Sequence, residues 1–194
     1  MEIKRVCVYC ASSRRCDAAY HEDARRLGGI LAREGIALVF GGGRNGSMGA
    51  LAEGALAQGG RVIGVIPQFM DELEWAHRGL TELILVRDMH ERKRLMIAEV
   101  DAVVALPGGC GTFEELFEAI AWKRLGLYNG PIVIVNTNDY YRPLIELLES
   151  AVRERFMDDR HRAIWSVVND PEQVLDAIRN APPWSNDNRE FAVP

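Results

Sequence analysis

The sequence predicts an α/β fold, a doubly wound and mostly parallel sheet with helices on both faces in a single domain. Three observations carry this. Short apolar runs alternate with helix-period segments from end to end. The runs are continuously apolar rather than alternating, as in strands buried on both faces. Glycine clusters follow two of the runs, where a parallel sheet presents ligand-binding loops at its carboxyl edge.

The elements follow in order. Ile3 to Tyr9 is a β-rich apolar run, and Asp17 to Glu34 places Ala24, Leu27, Ile30 and Leu31 at helical spacing. Ile36 to Phe40 is a short strand ending in Gly41-Gly42-Gly43. Ser47 to Gln58 is a helix stopped by Gly59-Gly60, and Arg61 to Ile66 is a strand closed by Pro67. Glu82 to Val86 is strand-like and Met89 to Glu99 helix-like. Ala102 to Leu106 is a buried strand feeding Pro107-Gly108-Gly109. A helix over Thr112 to Leu127, a strand over Pro131 to Asn136 and a helix over Tyr140 to Phe156 come next. A last strand at Ile164 to Val168 and a helix from Pro171 to Asn180 complete the pattern, with Pro171 at an allowed first-turn position. No linker or repeat divides the chain. Residues 1–181 are expected to form the domain and 182–194, opening on Pro182-Pro183, an irregular tail.

With 194 residues, 48% hydrophobic and 26% charged, the composition is that of an ordinary globular protein. A net charge of -5 argues against non-specific nucleic-acid binding, which needs Lys and Arg to neutralise phosphates. It leaves room for one small phosphate held by backbone N–H groups. No run of about 18 apolar residues marks a membrane span. The opening residues hold too short an apolar stretch for a signal peptide, so a cytoplasmic protein is expected. Cys7 and Cys10 form C-x-x-C inside an apolar strand. Residues three apart on a strand face opposite ways, so a shared disulfide or metal is awkward and buried free thiols are expected. His21, His77, His90 and His161 lack metal-ligand spacing, and no metal site is expected.

Three loops follow strands. Cys10-Ala11-Ser12-Ser13 brings two hydroxyls, Ser13 being a candidate ligand contact. Gly41 to Gly49 contains G-x-G-x-x-G between a strand and a helix, which suits an anion at a helix start. It is not a dinucleotide fingerprint: it follows the second strand, and the next strand ends in Pro67-Gln68 without an acidic residue for ribose hydroxyls. Nor does Gly-Lys-Ser/Thr follow, as a Walker loop requires. Pro107-Gly108-Gly109-Cys110-Gly111-Thr112 repeats the arrangement, with Glu115 about one turn into the helix. Between them lies Met89-His90-Glu91-Arg92-Lys93-Arg94. Cations at a helix start oppose the helix dipole, so either the cluster is a solvated basic face, as charge alone would suggest, or at least one of its charges answers a ligand phosphate or a catalytic carboxylate.

Gly41-Gly42-Gly43-x-x-Gly46-x-Met48-Gly49, Met89-His90-x-Arg92-Lys93 and Pro107-Gly108-Gly109-x-Gly111-Thr112-x-x-Glu115 together resemble the Lonely Guy (LOG) family. Its members are cytokinin riboside 5′-monophosphate phosphoribohydrolases, also labelled lysine decarboxylases. The resemblance spans roughly Val6 to Phe156. It implies a Rossmann-like fold, a homodimer or higher oligomer, no metal or redox cofactor, and cleavage of N6-modified adenosine 5′-monophosphates to free base and ribose 5-phosphate. It further implies Arg92 and Glu115 as the catalytic pair. Ser13, Gly43, Glu74, Lys93, Gly109, Cys110, Gly111, Thr112, Phe113 and Glu114 fall to the substrate site. The chemistry is consistent: breaking a C–N glycosidic bond builds positive charge on the ribose, which a carboxylate stabilises. An arginine is a poor general base and better suited to fixing a carboxylate or a phosphate.

The chain departs from the common family pattern after Trp122, where Lys123-Arg124 replace the usual Ala-Gln, and Ala121 stands where Thr is frequent. This leaves base preference and oligomer size open. Cys110, at the variable position of its loop, is an unusual nucleophile candidate that this hydrolysis does not need. Two other readings compete. One is a nucleotide or molybdopterin-type carrier without turnover, for which Arg92 and Glu115 together have no chemical purpose. The other is a lysine decarboxylase, which would need pyridoxal phosphate on Lys4, Lys93 or Lys123.

Overall fold

The computed structural model describes residues 2–73 and 75–191. Seven strands form one sheet: β1 (Arg5–Tyr9), β2 (Ala37–Phe40), β3 (Val62–Pro67), β4 (Glu82–Val86), β5 (Ala102–Ala105), β6 (Ile132–Val135) and β7 (Trp165–Val168). Their order is β4-β3-β2-β1-β5-β6-β7 and every pairing is parallel. The helices are α1 (Ala18–Arg33), α2 (Gly46–Leu56), α3 (Gln68–Glu72), α4 (Met89–Ile97), α5 (Cys110–Arg124), α6 (Arg142–Arg153) and α7 (Val174–Arg179). Among the described residues no helix is long and apolar enough to cross a membrane.

The β-branched runs explain the layering. One face of the sheet buries Val6, Val8, Leu38, Phe40, Val104 and Val133 against Leu27 and Leu31 of α1, Leu51 of α2 and Ile178 of α7. The other buries Val39, Ile63, Val65, Val103 and Ile134 against Met96 of α4, Leu116 and Ile120 of α5 and Leu148 of α6. Each strand therefore needs apolar side chains on both sides, which produces unbroken runs. Cys7 and Cys10 fall in opposite cores as free thiols. Burial raises both above the ordinary thiol range.

Strand order reverses between β1 and β5. β1 pairs with β2 on one side and β5 on the other, so their carboxyl-end loops diverge and open a crevice. The loops after β1, β2 and β5 meet there.

The structure departs from expectation in four places. The segment after Pro67, left without an element, holds α3 and then turns back so that Gly43 and Ala76 pair as an antiparallel bridge. The sixth helix starts at Arg142 instead of Tyr140, because Asn138 and Asp139 adopt left-handed φ of 52° and 61° and break the helical path. It ends at Arg153, ahead of left-handed Arg155. The 171–180 segment divides into a 3-10 turn, Pro171–Gln173, and α7. In the tail expected to be irregular, Asn186–Phe191 forms 3-10 turns, and Trp184 packs on Phe191 and donates its Nε1–H to the Lys123 carbonyl at 2.8 Å.

Candidate active site

A cavity of about 540 Å³ opens at the strand-order reversal, within the range of small-ligand sites. Its polar lining comes from Ser12 and Ser13 after β1, Arg44 and Asn45 after β2, and Thr112 at the start of α5. Met48, Ile66, Met70, Trp75 and Met89 supply its apolar lining. Arg92 and Glu115 are also part of the lining.

Helix α5 begins with Gly109 as its N-cap, and no side chain caps it. The first N–H groups of a helix have no partner within it and carry the positive end of its dipole. A side chain built at Gly109 or Gly111 would meet nothing within 4 Å, so the backbone there is open. Gly108 is different: a Cβ would fall 2.1 Å from Thr112 Oγ1, so only glycine lets Thr112 fold back under the loop.

Arg92 comes from the first turn of α4, where Asp88 caps Glu91 N–H at 2.8 Å. Its guanidinium is buried and makes three bonds among the described residues. Nη1 donates to Glu115 Oε1 at 2.6 Å, Nε to the Val65 carbonyl at 3.1 Å and Nη2 to the Gly41 carbonyl at 3.4 Å. A Cβ at Gly41 would lie 1.9 Å from Nη2, so glycine is required for the arginine to enter. Burial raises the Glu115 carboxyl above the usual carboxylate range, against the pull of the Arg92 guanidinium. The result is a fixed, poorly hydrated carboxylate facing a cavity, an arrangement suited to stabilising developing positive charge or accepting a proton.

The basic cluster at the α4 start is answered as the dipole conflict implied. Arg92 meets Glu115, and Lys93 pairs with Glu114 and with Glu118, the latter at 3.2 Å. Burial works against the Lys93 ammonium, but its bonds to Glu114 and Glu118 outweigh this and raise its pKa.

The structure brings Ser13, Gly43, Arg92, Gly109, Cys110, Gly111, Thr112 and Glu115 to the cavity. Lys93, Phe113 and Glu114 lie outside its lining. Lys93 and Glu114 are spent on each other, and Phe113 stacks on Tyr140 with centroids 6.4 Å apart. Glu74 is outside the described residues. Sequence reasoning missed the apolar lining. Met70 and Trp75 arrive because the segment after α3 folds back over the glycine loop, with Arg44 N–H bonding the Trp75 carbonyl and His77 N–H the Gly42 carbonyl, each at 2.9 Å. That pairing is long-range and leaves no periodic signature in a five-residue helix.

The family model described as "Possible lysine decarboxylase" matches residues 48–178. The chain is 46% identical to the cytokinin riboside 5′-monophosphate phosphoribohydrolase of Rhodococcoides fascians, over 91% of this chain and 90% of that protein. It is 37% identical to an enzyme of the same name from Arabidopsis thaliana, over 95% of this chain and 86% of that one. Among solved structures, the molybdenum cofactor carrier protein of Chlamydomonas reinhardtii superposes with a TM-score of 0.72. It is 21% identical over 93% of this chain and 98% of that one, a likeness of fold alone. On its three motifs and these relatives, the chain belongs to the Lonely Guy family of cytokinin riboside 5′-monophosphate phosphoribohydrolases, the family also labelled lysine decarboxylase.

Proposed function

We propose that the protein hydrolyses the N-glycosidic bond of N6-modified adenosine 5′-monophosphates, and of AMP, to free base and ribose 5-phosphate. The observation that carries this is the buried Arg92–Glu115 pair in the same cavity as the uncapped start of α5. The relatives' names supply the substrate class.

In this reading the 5′-phosphate sits on the open N–H groups of Gly109, Gly111 and Thr112, with Ser12 and Ser13 facing it. The base and its N6 substituent lie against Met48, Met70, Trp75 and Met89. Water adds its hydroxyl to C1′ as the C1′–N bond breaks, and the bond's electron pair leaves with the base, which takes up a proton. Glu115 stabilises the ribose cation and accepts the proton of the attacking water. Its raised pKa suits that acceptance. Arg92 holds Glu115 in place and does not exchange protons itself. Phosphate binding away from the breaking bond positions the sugar, so remote binding energy lowers the barrier.

A pyridoxal-phosphate decarboxylase would hold its cofactor on a lysine. None of the three lysines lines the cavity: Lys4 pairs with Glu2, Lys93 with Glu114, and Lys123 is buried beneath Trp184. A pure carrier gains nothing from a buried Arg–Glu pair, whose desolvation is costly. The proposal also includes a cytoplasmic homodimer, with exposed Leu85, Leu95 and Phe117 as apolar contact surface.

The test is chromatographic. Isopentenyladenosine 5′-monophosphate, AMP and their ribosides are incubated with the protein and free base is measured. Release from the monophosphates and not from the ribosides is expected. Tight AMP binding with no base released would put the carrier reading first.

A further inference from the structure

The loop that opens α5 is held from outside the cavity by two consecutive tyrosines. Tyr140 Oη donates to the Gly108 carbonyl at 2.5 Å, and Tyr141 Oη to the Leu106 carbonyl at 2.8 Å. Both precede α6, and neither lines the cavity. Phe113 packs against both rings, which accounts for a motif residue that the cavity does not use.

Much of the structure serves to place this pair. Asn138 and Asp139 both sit at left-handed φ, a conformation that L side chains adopt rarely and that Asn and Asp tolerate best. Asn136 fixes the turn from two sides: its Nδ2 donates to Asp139 Oδ1 at 2.9 Å, and its Oδ1 accepts the Tyr141 N–H at 2.7 Å. Thr137 Oγ1 ties the turn to buried Asp23 of α1 at 2.5 Å. Strain of this kind persists where surrounding contacts over-determine it, and it clusters at functional sites.

The two bonds differ in what they control. A trans peptide is planar, so its C=O and N–H point in opposite directions, and no cis peptide occurs among the described residues. The Gly108 carbonyl belongs to the Gly108–Gly109 peptide. A phenol on that oxygen turns the Gly109 N–H away from Tyr140, and it polarises the amide so that this N–H becomes a stronger donor. The Leu106 carbonyl belongs to the Leu106–Pro107 peptide, which has no N–H. Tyr141 can therefore only anchor, whereas Tyr140 orients a donor. Burial raises both phenols above their ordinary pKa, so both stay protonated as donors at neutral pH.

We propose that Tyr140 is a positioning residue for phosphate recognition, its phenol fixing the Gly108–Gly109 peptide so that the Gly109 N–H meets the 5′-phosphate. This rests on the reading of the α5 start as the phosphate site. Tyr140 itself touches no substrate.

Tyr140→Phe and Tyr141→Phe separate orientation from anchoring. Calorimetry with ribose 5-phosphate and with adenosine reads binding, and thermal unfolding reads stability. Tyr140→Phe is expected to weaken ribose 5-phosphate binding roughly 5- to 10-fold, less than the full loss of a hydrogen bond to a charged group because the Gly109 N–H is misaligned and not removed. Adenosine binding and the unfolding midpoint stay at wild-type values. KM for the monophosphate rises by the same factor, with kcat within about two-fold. Tyr141→Phe lowers the midpoint and leaves ribose 5-phosphate affinity intact. Wild-type affinity in Tyr140→Phe overturns the proposal, as does equal weakening of ribose 5-phosphate and adenosine, which a loosened loop alone would produce. If the wild-type protein releases no base while the ribose 5-phosphate contrast holds, the hydrolase reading fails and the tyrosine's role stands.

Discussion

Helix α5 buries a charge near each end, and the two are treated differently. Near its start, Glu115 is answered by Arg92 at 2.6 Å and opens onto the cavity. In its last turn, Lys123 is almost wholly buried with no carboxylate on it among the described residues. Its Nζ lies 5.6 Å from the Trp184 ring centroid, and its carbonyl takes the indole N–H. Burial drives both groups toward their neutral forms, raising Glu115 and lowering Lys123 to about 8. The paired charge has a rigid partner and a ligand cavity in front of it. Lys123 has no ion pair among the described residues and faces an aromatic ring from the tail, which returns a small part of its desolvation cost. Burial alone does not mark a site; burial with an oriented partner and an opening does.

Removing the partner should have the largest effect on stability. Arg92→Gln strands Glu115 without its counter-charge and empties three hydrogen bonds. Breaking a buried pair in this way typically costs about 3–5 kcal/mol. Denaturant titration should show that loss, together with a fall in turnover on the order of 10²-fold as Glu115 loses its position. Wild-type stability would mean that Glu115 draws no support from the pair.

At the other end the expected change is smaller and opposite in sign. Lys123→Met removes a charge that is costly to bury and keeps the aliphatic packing, so stability at pH 7 should rise by on the order of 1 kcal/mol. The sign follows from the depressed pKa. The unfolded lysine holds its proton to higher pH than the folded one, so wild-type stability climbs as pH rises from about 8 toward the ordinary lysine range. The variant's advantage is fully present below about 8 and disappears above that range. Unfolding at pH 7 and at pH 10 checks both halves. A less stable variant at pH 7 would show that the indole contact outweighs desolvation.

The same contrast explains what the sequence could reveal. The sheet was legible because a strand covered on both faces needs unbroken apolar residues, as in Ala102 to Leu106 and Ile132 to Val135. The cations at the α4 start signalled a local conflict that an anion resolves, but the pairing of Arg92 with Glu115 was legible only through the match to the family motif. Lys93, Phe113 and Glu114 came from the match to the family motif, and none of them lines the cavity. On a helix each step turns about 100°, so residues next to Arg92 on α4 or Glu115 on α5 point elsewhere. The placing of Met70 and Trp75 and the turn before Tyr140 depend on contacts far along the chain, Arg44 N–H to the Trp75 carbonyl and Thr137 to Asp23. No local pattern encodes them. Lys123 stood out as a departure from the family pattern, but its burial under Trp184 is a matter of tertiary packing.

The most direct test of the central claim is turnover by Glu115→Gln, which keeps the side chain's shape and a hydrogen-bonding oxygen for Arg92 while removing the negative charge. Base release from isopentenyladenosine 5′-monophosphate should fall by on the order of 10²–10⁴-fold, with AMP binding retained. Base release near the wild-type rate would contradict the assignment of Glu115 as the group that carries the chemistry.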